Sequence, residues 1–339
     1  MRGLTKSLTA AIIAPALVLS APAFAQTNEL EASFDRAFGT EVRAPQDFKA
    51  IYDSSFERRV AQVADGSRGR IGVAAVDLST GEEIFILGDQ KFPMASTSKI
   101  AVAATYLELV EKGKYSLTSE FPLLIPVRSA KFSSPAAPVR EGEYMQAIDL
   151  IEIMITRSSN PATDALLAAV GGPEKVNDWM RRQGIKDWSI DRDIATLVRD
   201  DGEYDPASHI DNRDAATPKA MLKLLTGLYQ GKFLEADSRR VILDAMSRTR
   251  TGARRIKGNM PEFVQVSHKT GSLNNTSSDV GFVQSPDGRT IAVAIYVTGQ
   301  GSRGAREARI AEIARVLYDG FASKAREPAV WTNAVQTGG

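Results

Sequence analysis

The chain of 339 residues has no cysteine and only two histidines, His209 and His268. The first absence excludes disulfides, a thiol nucleophile and a zinc–thiolate site, so stability rests on core packing. The second rules against a His-rich metal site and leaves a Ser-His-Asp triad at most one of two imidazoles. A hydrolase built on this chain is therefore expected to use another base, with no metal and no cofactor. Neither sign of charge is in excess: 42 Lys and Arg stand against 41 Asp and Glu. There is thus no electrostatic footprint for nucleic acid and no strong field to steer charged partners, and a small-molecule or peptide substrate fits better.

The rest of the composition, 43% hydrophobic and 24% charged, is that of an ordinary globular protein. Near the N-terminus Arg2 and Lys6 precede an apolar stretch from Leu8 to Leu19, interrupted by Pro15, and then Ala-Pro-Ala-Phe-Ala before Gln26. This pattern predicts a secretory signal peptide over residues 1–25, cleaved after Ala25, because the apolar stretch is too short to span a bilayer. The expected mature protein is a periplasmic monomer with no stable membrane anchor, and there is no Cys for lipidation.

Periodicity predicts an amphipathic helix from Leu30 to Val63, then strands over Arg70–Leu78 and Glu83–Leu87 joined by the turn Ser79-Thr80-Gly81-Glu82. Helices follow at Ile100–Glu111, Tyr144–Thr156, Pro161–Val170, Pro173–Gln183 and Thr217–Tyr229, with Gly113, Gly171 and Gly184 just past three of the ends. Strands return at Phe263–Thr270, Val280–Gln284 and Thr290–Val297, before a helix at Ala305–Phe321. The expected fold class is α/β: an antiparallel sheet of about five strands built from both ends of the chain, flanked by helices, with an inserted all-α lobe. The α/β lobe would take residues of about 45–92 and 240–322, the helical lobe about 93–239, and a weakly ordered tail 324–339; a cleft between the lobes is the natural site.

Three short motifs carry chemistry. Ser96-Thr97-Ser98-Lys99 is a Ser-x-x-Lys at a helix start, where Lys99 lies on the same side as Ser96 and, if desolvated, can lose its proton and act as a base. Ser158-Ser159-Asn160 sits between two helices and offers a hydroxyl and an amide; the plain alternative is a helix cap. His268-Lys269-Thr270-Gly271-Ser272 ends an apolar run, and a strand-edge lysine between hydroxyls suits a carboxylate, although alone it reads equally as an edge charge and a turn.

In this order, Ser-x-x-Lys, Ser-x-Asn and Lys-Thr-Gly form the signature set of serine β-lactamases and penicillin-binding proteins. Gly171-Gly172-Pro173, Arg213-Asp214-Ala215-Ala216-Thr217-Pro218 and the stretch from Thr251-Gly252 to Arg255-Ile256 also resemble class A β-lactamases, so the resemblance covers roughly residues 45–322. It implies that Ser96 is the acylating nucleophile, Lys99 its base, Ser158 the proton donor to the leaving nitrogen and Asn160 a holder of the substrate amide and of Lys99. Lys269, with Thr270 and Ser272, would bind the substrate carboxylate, Gly271 would let the substrate approach the backbone, and Arg255 would stand behind that pocket. The N–H groups of Ser96 and Ser272 would form an oxyanion hole, in which one donor is typically worth about 3 kcal/mol. The implied activity is β-lactam hydrolysis; a D,D-peptidase, or a lactam-binding protein that acylates without turnover, are the alternatives.

Two departures stand out. Class A enzymes usually read Ser-Asp-Asn where this chain has Ser159 in the middle, and they carry Glu-x-x-Leu-Asn in an omega loop, which this chain lacks. Its counterpart, D-R-D-I-A-T-L-V-R-D-D-G-E-Y-D-P over residues 191–206, holds six carboxylates. Counted from Pro173 the family's deacylating Glu falls on Ile194, and counted back from Arg213-Asp214 it falls on Asp201, so the loop is expected to be longer by seven residues. Asp193, Asp200, Asp201 and Glu203 compete for the water-activating role, Asp201 favoured by register and Glu203 by reach. Arg192 or Arg199 is expected to pair with Asp214 at the loop neck.

Overall fold

The most continuously apolar segment of the sequence forms the middle of the sheet. In the computed structural model, which describes residues 54–324, Thr290–Thr298 is buried along its whole length. A strand covered on both faces has no polar side to alternate, hence the unbroken run. With β1 (Ile71–Asp77), β2 (Glu83–Ile86), β3 (Phe92–Pro93), β4 (Glu120–Pro126), β5 (Val139–Gln146), β6 (Ala215–Ala216), β7 (Gln265–Leu273) and β8 (Thr276–Gln284), that strand is β9. The main sheet has the order β2-β1-β9-β8-β7, antiparallel throughout, so strands from both ends of the described chain meet at β1 and β9.

One face of the sheet is covered by α1 (Ser55–Val63) and the terminal helix α9 (Arg303–Lys324), whose Phe56 and Phe321 meet edge to face at 5.0 Å. A capping box starts α1: Ser54 Oγ accepts from Glu57 N and Glu57 Oε2 from Ser54 N, both at 3.0 Å. The other face carries the larger core, shared with α2 (Lys99–Glu111), α3 (Ala147–Thr156), α4 (Asn160–Val170), α5 (Pro173–Arg182), α7 (Pro218–Tyr229) and α8 (Ala236–Ser247). A short helix, α6 (Ile194–Arg199), lies in the acidic loop. The expected leader 1–25, the N-terminal part of the Leu30–Val63 helix up to residue 53, and residues 325–339 of the expected tail lie outside the described residues.

Besides the two-residue strands β3 and β6, the structure adds one hairpin and two helices that periodicity did not give. The helical lobe carries a hairpin of β4 and β5, and Tyr144, read as a helix start, lies in β5, with α3 beginning at Ala147. Two prolines in β4 and a largely polar, exposed β5 mask the hairpin in sequence. The helices α6 and α8 are the other two; α6 is six residues long and too brief for a 3.6-residue period to register.

The acidic loop is tied down from four sides. Asn177 of α5 brackets Ile190, giving Nδ2 to its carbonyl at 2.7 Å and taking its N–H at 2.9 Å. Asp214 closes the neck, accepting Arg192 Nε at 2.6 Å and the Asp191 N–H at 2.8 Å, while Arg199 pairs instead with its neighbour Asp200. Thr196 Oγ1 accepts from Ala137 N at 2.8 Å, from the loop that joins β4 to β5. Beyond α6 the chain is held to the sheet: the Pro206 carbonyl accepts Arg70 Nη2 at 3.0 Å, and Asp205 accepts Asn275 Nδ2 at 2.7 Å. Replacing Asp214 by Ala leaves the Arg192 charge and the neck N–H groups without this acceptor, and should lower stability by about 3 kcal/mol in urea unfolding; a change below about 0.5 kcal/mol would mean the neck does not hold the loop.

Candidate active site

The nucleophile turn is fixed by its neighbours in sequence. β3 pairs with β6, so Phe92 and Pro93 lie against Ala216 and Ala215, and Met94 N donates to the Asp214 carbonyl at 3.0 Å. The chain then turns through Ala95, whose φ of +48° is in the left-handed region, into a single 3-10 turn, Ala95–Ser98, that runs into α2. A non-glycine residue held there marks a constrained corner, of the kind that clusters at functional sites. Ser96 is half-buried at this corner, whereas Lys99, the first residue of α2, is fully buried.

Lys99 Nζ donates to the Ser158 carbonyl at 2.8 Å, to Asn160 Oδ1 at 2.7 Å and to Ser158 Oγ at 3.3 Å. Those three contacts use all the protons of an ammonium. Ser158 stands between α3 and α4 with a φ of +59°, which brings its carbonyl and its hydroxyl to the same lysine. Ser159, where relatives of this pattern have Asp, is the N-cap of α4 and accepts from Ala162 N; Ser and Asp cap helices about equally well, so the departure is neutral at that position.

From the opposite side, Lys269 Nζ on β7 donates to the same Ser158 Oγ at 2.9 Å and to the Thr270 carbonyl at 3.0 Å. Two lysines thus converge on one hydroxyl. Burial, reinforced by the Lys269 charge and opposed by Asp164, holds Lys99 well below the usual lysine range. Burial likewise pushes Lys269 down to about 7, Asp279 working against it and Arg255 with it. Both groups give up a proton at lower pH than a solvated lysine would.

The β7 edge is built to sit on the nucleophile turn. A Cβ on Gly271 would stand 2.6 Å from the Met94 carbonyl oxygen and 2.4 Å from Ser278 Oγ, so only glycine allows the approach. Arg255, expected from the resemblance to stand behind the carboxylate pocket, is buried behind this strand at 1% exposure. It donates to the Gly271 carbonyl at 2.8 Å, to the Ser278 carbonyl at 2.7 Å and to Ser272 Oγ at 2.6 Å, and Glu307 of α9 balances it at 3.2 Å. Thr270 Oγ1 is bonded to Thr251 Oγ1 at 2.7 Å. Hence Lys99, Ser158, Asn160 and Lys269 form one hydrogen-bonded cluster, continued along β7 through Thr270, Gly271 and Ser272 to Arg255, and Ser96 lies on the adjoining turn, its carbonyl accepting the Lys99 N–H.

The loop carboxylates have other partners. Asp193 caps its own helix, accepting from Thr196 N at 2.6 Å. The Arg199 side chain holds Asp200 at about 2, well below its ordinary range. Glu203 pairs with Arg213 at 2.7 Å. Asp201 Oδ2 accepts from Asn274 N at 2.7 Å, two residues beyond Ser272, and burial raises its proton affinity. None of the four is hydrogen-bonded to Ser96, Lys99 or Ser158. The acid that sequence reasoning missed is Asp164, one helical turn after Asn160 on α4 and 3% exposed. Among the described residues no group of three or more His, Asp or Glu is arranged to hold a metal ion.

The profile of the β-lactamase enzyme family matches residues 55–321. An ancestral class A β-lactamase of Gram-negative bacteria shares 33% identity, with a TM-score of 0.68 over 79% of this chain and all of that one. The chain belongs to the class A β-lactamases. The extended-spectrum β-lactamase PER-1 of Pseudomonas aeruginosa is 27% identical over 77% of this chain and 86% of its own. CTX-M-4 of Salmonella typhimurium is 28% identical over 79% and 90%. A β-lactamase of Chitinophaga pinensis superposes with a TM-score of 0.69 at 27% identity, over 79% of this chain and all of its own. In this serine β-lactamase the close seating of β7 on the nucleophile turn sets the geometry of the cluster. Gly271→Ala should therefore lower kcat/KM for a chromogenic cephalosporin by about a hundredfold, the size expected for a misplacement of about 1 Å; a folded variant with unchanged kcat/KM would contradict this reading of the strand edge.

Proposed function

We propose that the enzyme opens the β-lactam amide by forming an ester on Ser96 and then hydrolysing it. The observation that carries this is the Ser158 hydroxyl, 2.9 Å from Lys269 Nζ and 3.3 Å from Lys99 Nζ. In its neutral form Lys99 takes the Ser96 proton as Oγ attacks the lactam carbonyl. The Ser96 and Ser272 N–H groups would receive the oxyanion. When the C–N bond breaks, Ser158 gives its proton to the departing nitrogen and is resupplied from the lysines. Lys269, with the Thr270 and Ser272 hydroxyls, meets the substrate carboxylate, whose negative charge favours the protonated lysine. Asn160 holds the amide side chain of the substrate and, through Oδ1, the position of Lys99.

Hydrolysis of the ester needs a base for water. Asp193 is committed to a cap and Asp200 is too weak a base, while Glu203 is neutralised by Arg213. Asp201, more basic than an ordinary aspartate and bonded to the end of the substrate-binding strand, is the loop carboxylate best suited to the role. The predicted leader supports export to the periplasm, and among the described residues no helix is long and apolar enough to cross a membrane.

Stopped-flow turnover with intact-protein mass spectrometry separates the two half-reactions. Ser96→Ala should abolish turnover and adduct alike. Asp201→Asn should leave acylation within a fewfold while the acyl-enzyme accumulates and deacylation falls by at least about a hundredfold, the size of general-base loss. A neutral Asp201→Asn beside a crippled Glu203→Gln would transfer the role to Glu203. A stoichiometric burst without turnover in the unmodified enzyme would overturn hydrolysis itself.

A further inference from the structure

Arg70, the residue before β1, carries a buried charge whose hydrogen-bond acceptors are all neutral. It is 2% exposed. Nε and Nη2 both reach the Pro206 carbonyl, at 3.3 and 3.0 Å, while Nη1 donates to the Lys91 carbonyl at 3.0 Å and to Gln90 Oε1 at 3.4 Å. A charge taken out of water without a counter-ion is costly, and a neutral side chain would fill the same space without that cost. What the guanidinium does beyond packing follows from what it joins.

The position itself is rigid. Thr298 of β9 closes on the Arg70 backbone, its Oγ1 accepting the Arg70 N–H at 3.0 Å and its N–H reaching the Arg70 carbonyl at 2.9 Å. The guanidinium lies over the Phe92 ring, 4.5 Å from its centroid, and Phe92 stacks on Tyr296 at 5.8 Å. Phe92 has this room because Gly72 lies beside it, where a Cβ would stand 2.4 Å from Phe92 Cε2.

Lys91 stands five residues before Ser96, and Pro206 five after Asp201. Asp201 is bonded to Asn274 and not to Ser96, Lys99 or Ser158, so the backbone that carries it sets its distance from an ester on Ser96. The nucleophile end of this span has separate anchors, the Met94 N–H on the Asp214 carbonyl at 3.0 Å and the pairing of β3 with β6. The arm after Asp201 is tied at more exposed points by Glu203 on Arg213 and Asp205 on Asn275, and Arg70 supplies a buried tie.

We propose that Arg70 is a positioning residue for deacylation: its guanidinium clamps the loop arm at Pro206 to the strand entry at Lys91 and thereby fixes how far Asp201 stands from the ester on Ser96. The inference rests on the reading of Asp201 as the base for water. A planar guanidinium suits the task because its N–H groups point in fixed directions and hold both carbonyls at once, whereas an ammonium on a flexible stem does not. Loss of the clamp frees the arm and leaves the nucleophile turn in place, so the two half-reactions respond unequally.

Arg70→Lys keeps the charge and most of the stem. In a variant shown by thermal unfolding to be folded, stopped-flow acylation by a chromogenic cephalosporin should stay within about threefold of wild type while deacylation falls by at least about tenfold, the loss expected for a displacement of less than about 1 Å. The acyl-enzyme should accumulate in intact-protein mass spectrometry. A purely structural arginine would lower the unfolding temperature and leave the ratio of the two rates as in wild type; that result, or a shift toward slow acylation, overturns the proposal. Should Arg70→Lys fail to fold, Pro206→Gly decides, because it loosens the arm and leaves the core arginine in place: slower deacylation at unchanged acylation supports the clamp, and an unchanged ratio overturns it. Failure of the underlying reading looks different. If Asp201 is not the base, Asp201→Asn deacylates normally. If it is, Asp201→Asn stalls and adding Arg70→Lys slows deacylation no further, whereas a second full loss in the double variant would place the effect of Arg70 elsewhere and overturn the clamp.

Discussion

Two buried lysine amines sharing one serine hydroxyl are the constraint on which the rest of this structure depends. Groups that carry like charge do not enter a protein interior unless something holds them there, and each lysine here is held by a different element. Lys99 comes from the first turn of α2 and Lys269 from β7, and Ser158, strained into the left-handed region, is where they meet. Every other feature of the site serves that meeting. Gly271 lets β7 reach the nucleophile turn, Arg255 and Glu307 fix the strand from behind, and Asn160 takes the remaining proton of Lys99. The arrangement lowers the proton affinity of both amines, which makes a lysine serviceable as a base near neutral pH.

The chemical core was legible in the sequence because its residues stand in short local patterns, each at the junction of elements that periodicity locates. β9 could be read because a strand buried on both faces is apolar throughout. The β4–β5 hairpin could not, since Pro122 and Pro126 argue against a strand and β5 is nearly all polar. Asp164 was hidden for another reason. An acid in the middle of an amphipathic helix looks like a solvated residue until the fold lays another helix N-terminus on it. Arg255 is placed behind the pocket by resemblance alone, and its burial behind β7 gives that placement a physical basis.

The acidic loop shows how two incompatible counts along a sequence can each describe part of a structure. Counted from α5, the chain reaches Ile194 at the start of α6, docked on Asp164. Counted back from Asp214, it reaches Asp201, in the segment beyond α6 that is bonded to Asn274, Asn275 and Arg70. This segment is folded against the end of the sheet, and the six carboxylates each have a defined partner: Asp200 and Glu203 pair with Arg199 and Arg213, while Asp191, Asp193, Asp201 and Asp205 accept from the N–H groups of Asp214, Thr196, Asn274 and the Asn275 side chain. Acid in this loop is thereby mostly architecture.

The central claim, that burial, reinforced at Lys99 by the Lys269 charge and at Lys269 by Arg255, makes both lysines unusually ready to lose protons, is open to direct observation. Lysine-selective ¹³C or ¹⁵N NMR of the free enzyme across pH 5–11 follows each side-chain amine. The structure predicts two amines set apart from the rest, Lys269 titrating near 7 and Lys99 well below the ordinary range, each identified by its loss in the corresponding Lys→Arg variant. All amines titrating together near the ordinary value of about 10.4 would contradict the account.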